Sequence, residues 1–337
     1  MGLHDVAVNY LDPNRTPARF MLLSVMLGSL VLAAGIPEAF TDRGLLIAIT
    51  YAAMHLGRCV FLIVALRGER LQIVFLRILP WTVVSSAVML LGVAEHGYWR
   101  ALLWAVSVAI DLAGAAFGFF VPGLGGSATT EWTISGSHFA ERCQAFVLIA
   151  LGESIVVMGT LVPLHSPTGH AIVAFGTAFA GAIALWWIYF DRAAEDSARE
   201  IESSADPGRL ARNAFHWIHP LIVGGIIVVA AADEKALDDP AGPVATSTAW
   251  LVLGGAALFL GGHALFKAVV WRLVSWPRVV AAAVLLCLVP LAGHVSAMTL
   301  GLCALAVIVA VAVADRLTHP GVISSAGRSR SRPGTAG

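Results

Sequence analysis

Ser296-Ala-Met-Thr-Leu-Gly-Leu-Cys-Ala-Leu-Ala-Val-Ile-Val-Ala-Val-Ala-Val-Ala-Asp315 runs eighteen residues between its serine and its aspartate without a charge. At a rise of about 1.5 Å per residue, such a run nearly spans a hydrocarbon core about 30 Å thick. In lipid every backbone polar group needs an internal partner, which leaves helices and closed barrels. A barrel would alternate polar and apolar residues over segments of about ten, and this run does not alternate. It reads as a membrane helix, and the pattern recurs upstream. Spans are predicted at 18–40, 43–66, 71–93, 99–121, 139–163, 169–190, 211–232, 245–266, 276–293 and 296–315. The fold class is all-α: a polytopic bundle of about ten helices over 1–317, followed by a disordered polar tail at 318–337.

Composition agrees. The 337 residues are 58% hydrophobic and only 12% charged, with 21 basic and 21 acidic side chains. A soluble chain is about a quarter charged, so this one lacks the polar surface a water-facing globule needs. A disordered chain and a nucleic-acid binder, which needs a basic excess, are excluded as well. The four cysteines lie inside apolar runs without C-x-x-C or zinc spacing and read as small buried hydrophobes. No metal and no cofactor is expected. Only Lys235 and Lys267 are lysines, an Arg bias that suggests a GC-rich bacterial genome. The first apolar run is too long for a cleaved signal peptide.

Orientation is read from the basic residues. Ten spans put both termini on one side, and seventeen Lys and Arg fall there, among them Arg67, Arg70, Arg142, Arg272 and Arg316. The other side has Arg43, Arg100 and Lys235, and Arg58 lies within a span. Both termini and the charged 191–210 segment are therefore expected to be cytoplasmic. Trp186, Trp187, Tyr189 and Trp217 read as an interfacial belt. The alternating charges after Asp191 read as a short solvated helix with pairs such as Glu195–Arg199.

Other motifs fail on context. Gly123-Leu-Gly-Gly-Ser-Ala128 fits a loose dinucleotide fingerprint but comes after a membrane helix instead of a strand. His216 and His219 share a helix face without an evident third ligand, so they read as polar anchors at the interface. His263 and His294 fall near opposite interfaces and read alike.

Three stretches are more specific. His138-Phe-Ala-Glu141-Arg142 opens an apolar helix that carries Gly152-Glu153-Ser154 in its middle. Leu185-Trp-Trp-Ile-Tyr-Phe-Asp191-Arg192-Ala-Ala-Glu195 closes another, and Asp206-Pro-Gly-Arg-Leu210 leads into a span ending at Asp233-Glu234. In order and spacing they resemble the bacterial low temperature requirement protein A family, best from about 138 to 240. The resemblance implies an integral protein of the bacterial cytoplasmic membrane, linked by name to growth in the cold, with no activity to carry over. Members look as if they begin with an E-L-F-F-D-L-V-F-V-like helix and a second span. Here Asn9-Tyr-Leu-Asp-Pro-Asn14 matches the stretch just after that pair of helices, so a late start or a shortened form is expected.

Ionisable groups inside spans are the remaining signal, since each costs about 2.5–3.5 kcal/mol to insert. Glu153 lies eleven residues past Arg142, Asp111 eleven past Arg100 and His55 twelve past Arg43. Each is then about 16–18 Å inside the membrane, which makes one polar layer. Arg58, a turn beyond His55, can pair with Asp111 or snorkel. Arg142 and Glu153 share a face expected to point inward. Two readings result. One is a transporter or channel-like protein that binds a cation, proton or small solute at Glu153, Asp111 and His55. The other is a membrane-embedded enzyme or sensor using His138, Glu141 and Arg142. Neither a nucleophile–base pair nor a metal cluster supports the second, so transport leads. The expected partners are the bilayer and a small solute or cation, with no nucleic acid.

A coarse repeat also shows. Spans 18–40, 43–66 and 71–93 share features with 211–232, 245–266 and 276–293: acids closing the first, His55 and Arg58 or His263 and Lys267 in the second, Pro80-Trp81 or Trp276-Pro277 opening the third. An offset of six helices predicts parallel halves, as in transporters with two six-helix halves.

Overall fold

The computed structural model describes residues 16–127, 136–161, 168–190, 197, 199–201, 203, 204 and 206–318, with the side chains of 136–139, 161 and 318 outside that description. The predicted tail beyond 318 and the acidic partner Glu195 lie outside it too.

The described chain is helical: α1 Thr16–Gly35, α2 Gly44–Ala65, α3 Gln72–Leu91 and α4 Tyr98–Ala116, then α5 Gly136–Leu161, α6 Gly169–Phe190, α7 Pro207–Asp238, α8 Thr246–Trp271, α9 Trp276–Leu291 and α10 Ala297–Thr318. No strands occur among the described residues, only two isolated bridges. Among the described residues, nine helices are long and apolar enough to cross a membrane. The exception is α9, where the sequence predicts a tenth span. Pro277 starts it and the Val289-Pro-Leu291 turn ends it, so it reaches only about 24 Å.

The chain divides into two compact units, 1–134 and 135–337. In the first, α1 packs on α2, α2 on α3 and α3 on α4. Its core joins Cys59, Leu62, Val74, Phe75, Ile78 and Phe119. Phe119 reaches that core from a turn in which Gly118 and Phe119 both have positive φ (62° and 51°). This turn ends α4 at Ala116, earlier than the predicted 121. At the opposite end of α4, Arg100 is 4% exposed and donates to the carbonyls of Glu95, Ala39, Thr41 and Val93. One guanidinium thereby ties two loops together.

In the second unit α7 packs on α8 and α5, α6 on α10, and α9 on α8 and α10. Membrane helices lack a strong hydrophobic drive toward one another and rely on close packing at small residues. A Cβ on Gly225 would stand 2.5 Å from the Phe259 nitrogen, and one on Gly262 3.1 Å from the Ile222 nitrogen. The α7 and α8 backbones therefore touch. Both helices contain a π-helical stretch, Arg212–Ile218 in α7 and Trp250–Gly254 in α8. Of the charged 191–210 segment, Ser197 and Ile201 are 1% and 0% exposed while Arg199 and Glu200 are exposed. Among the described residues of the segment, Ser197 and Ile201 thus form a small buried face, where the sequence predicts a solvated helix.

Candidate functional site

In the first unit α2 aims Tyr51 and His55, one turn apart, at Asp111 on α4. Their rings stack with centroids 4.2 Å apart. The Tyr51 hydroxyl donates to Asp111 Oδ2, and His55 Nδ1 lies 3.5 Å from the same oxygen. With its own proton on the carboxylate, Tyr51 accepts from Ser85 Oγ at 3.0 Å. Ser107 completes the chain by donating to the Ser85 carbonyl at 2.8 Å, and both serines are fully buried. Asp111 is thus held by a tyrosine and an imidazole. Arg58, the partner the sequence offers, makes no ion pair among the described residues. The early end of α4 also places Asp111 between one and two turns from that end, not at the centre of a longer span.

A second carboxylate has the opposite environment. Asp315 on α10 receives Arg278 Nη1 at 2.9 Å and Nη2 at 2.5 Å, and Lys267 Nζ is 3.9 Å away. Arg278 is 2% exposed. A bidentate guanidinium fixes a carboxylate as an anion, so Asp315 reads as a structural lock. In each unit one residue of a His and basic pair on one helix meets an aspartate two helices further on: His55 meets Asp111, and Lys267 meets Asp315.

The other expected site residues lie in the second unit. The packed face of α5 is Ala140, Cys143, Val147, Leu151, Ser154 and Met158, all buried. Glu153 is exposed, off that face, and has neither hydrogen bond nor ion pair among the described residues. The sequence expects it to face a packed interior; within this unit it does not. Glu141 is exposed and Arg142 half-buried, and the His138 side chain lies outside the described residues.

The structure also assembles polar groups that sequence reasoning set aside. Tyr189, expected in an interfacial belt, is 7% exposed and shares a 3.0 Å hydrogen bond with His219 Nε2. His219 and His263, expected at interfaces, are 1% and 2% exposed. The Tyr189 and His263 rings meet edge to face at 5.6 Å. Neither nitrogen of His263, nor Nδ1 of His219, has a hydrogen-bond partner among the described residues. Gln144, Tyr189, Ser197, Phe215, His263 and Phe266 line a cavity of about 10 Å³ there. The signal in the sequence was the His216/His219 pair together with His263; what hid it was that depth along a helix says nothing of which neighbour covers a side chain. Among the described residues no three His, Cys, Asp or Glu gather as a metal site.

Comparison with known proteins agrees with the motifs. An uncharacterized protein of Rhizobium meliloti (strain 1021), RA0937, is 33% identical over 276 residues, 81% of this chain and 67% of that protein. No solved structure matches the chain. The model of the bacterial low temperature requirement A protein (LtrA) family matches residues 5–313, which is nearly the whole length. The chain is a multi-pass membrane protein and belongs to the LtrA family.

Proposed function

We propose that the chain is a transporter or channel-like protein of the bacterial inner membrane, with both termini cytoplasmic, and that Asp111 and His55 form its site for a proton, cation or small solute. One observation carries the reading. Asp111 is an intramembrane carboxylate held by Tyr51 and His55, with the half-buried Arg58 nearby but in no ion pair with it among the described residues, whereas Asp315 in the same chain is locked by Arg278 and Lys267. A carboxylate to which no fixed cation is directly bonded keeps oxygens able to exchange a proton or take a mobile cation. Interhelical hydrogen bonds average about 0.6 kcal/mol in membranes, too little to offset the insertion of an acid at about 2.5–3.5 kcal/mol. Structural pairing alone is thus a weak reason to keep it. The unit boundary falls between α4 and α5, where a six-helix repeat would put it, and this supports a two-half transporter plan.

Ligand-induced thermal stabilisation tests the site. A ligand binding only the folded state at a hundred times its Kd stabilises by about 2.7 kcal/mol. A screen of alkali cations and small metabolites on the purified chain should find a shift that Asp111→Asn abolishes. A shift that survives Asp111→Asn places the site elsewhere.

A further inference from the structure

The buried histidines of the second unit are not used by this proposal. Four helices converge on them: α6 brings Tyr189, α7 His219, α8 His263 and α5 Gln144. Buried polar groups are almost always hydrogen-bonded, and an exception points to an occupant such as water. Here three ring nitrogens are orphaned among the described residues, on histidines only 1% and 2% exposed that both meet the Tyr189 ring. The cavity that His263 lines has about the room one water requires. Its lining includes three side chains that carry a polar group to offer such a water: His263, Tyr189 and Gln144. Tyr189 and His263 touch edge to face without a direct hydrogen bond, the geometry in which a water fills the gap. A further observation is independent of these. Both histidine-bearing helices carry a π-helical stretch, a rare irregularity frequent at functional sites, and in α7 it ends on the residue before His219.

We propose that Tyr189, His219, His263 and Gln144 form a second intramembrane site, which binds one water and thereby joins His219 and His263 into a proton relay. The chain balances without any atom other than hydrogen moving. A proton accepted at His219 Nδ1 is matched by one passed from Nε2 to the Tyr189 oxygen. The tyrosine hydroxyl passes its own to the water, and the water passes one to His263. The inference rests on the second unit alone and is independent of Asp111.

Water-edited solid-state NMR on the uniformly ¹⁵N-labelled full chain in lipid bilayers tests it. His263→Phe identifies the ring signals, with His263→Gln in its place should that variant fail to insert. The expected result is polarisation transfer from water to the His263 ring several-fold faster than to the equally buried Phe259 and Leu260 amides, and slowed by Tyr189→Phe. Transfer no faster than to those amides overturns the proposal. So does fast transfer that Tyr189→Phe leaves unchanged, because the occupant then does not touch the tyrosine.

Discussion

Arg278 grips Asp315 through two parallel hydrogen bonds of 2.9 and 2.5 Å, joining the start of α9 to the end of α10. The pair explains how a helix as short as α9 is held, and it sets the standard against which Asp111 is judged. Removing one partner of a buried pair strands the other charge, at about 3 kcal/mol or more. Arg278→Met should therefore lower thermal stability by that amount in detergent. Arg278→Met with Asp315→Leu should recover most of it. Equal losses in the single and double variants would show that the pair is not what holds α9.

The α7–α8 contact depends on absent side chains. Gly225→Ala forces a methyl group to within 2.5 Å of Phe259 backbone, an overpacking of about 2 kcal/mol. Gly57→Ala meets nothing within 4 Å and should be neutral or slightly stabilising. Thermal unfolding of the two variants side by side checks this, and similar midpoints would contradict the packing.

Orientation is tested with reporter fusions. The excess of Lys and Arg on one side predicts that a cytoplasm-active reporter is active at Ser203 and inactive at Asp239. Activity at Asp239 would reverse the assignment of sides.

The repeat has a geometric consequence. In the membrane, α1–α3 should superpose on α7–α9 with the same direction across the bilayer, bringing His55 near His263 and Asp111 near Asp315. A poor fit, or opposite directions, would end the duplication.

Membrane character was legible because apolar run length is a one-dimensional property, while individual boundaries differ by several residues, at two places for a local chemical reason. Pro277 and the 289–291 turn shorten α9, and the Gly118–Phe119 turn ends α4 early. At the site, the sequence placed His55 and Asp111 at similar depth, and the structure brings them together. It did not find Tyr51, which holds the carboxylate, because a tyrosine in an apolar run looks like core. Glu153 and His263 show the limit from both sides. Depth marked the first as buried and the second as peripheral, yet Glu153 lies off the packed face of α5 and His263 is enclosed by α6, α7 and α8. Which face of a helix is covered depends on its neighbours, and spacing along one chain does not encode that.

The central claim, that Asp111 is the working carboxylate, is tested most directly by solute flux in proteoliposomes. Wild type and Asp111→Asn should be reconstituted to equal inserted amounts, with proton and alkali-cation fluxes monitored by entrapped dyes. The account predicts a flux above that of empty vesicles for wild type and a fall of about tenfold or more in Asp111→Asn, the cost of one lost charge-dependent interaction of about 1.4 kcal/mol or greater. A wild-type flux equal to that of empty vesicles, or an Asp111→Asn flux equal to wild type, would contradict it.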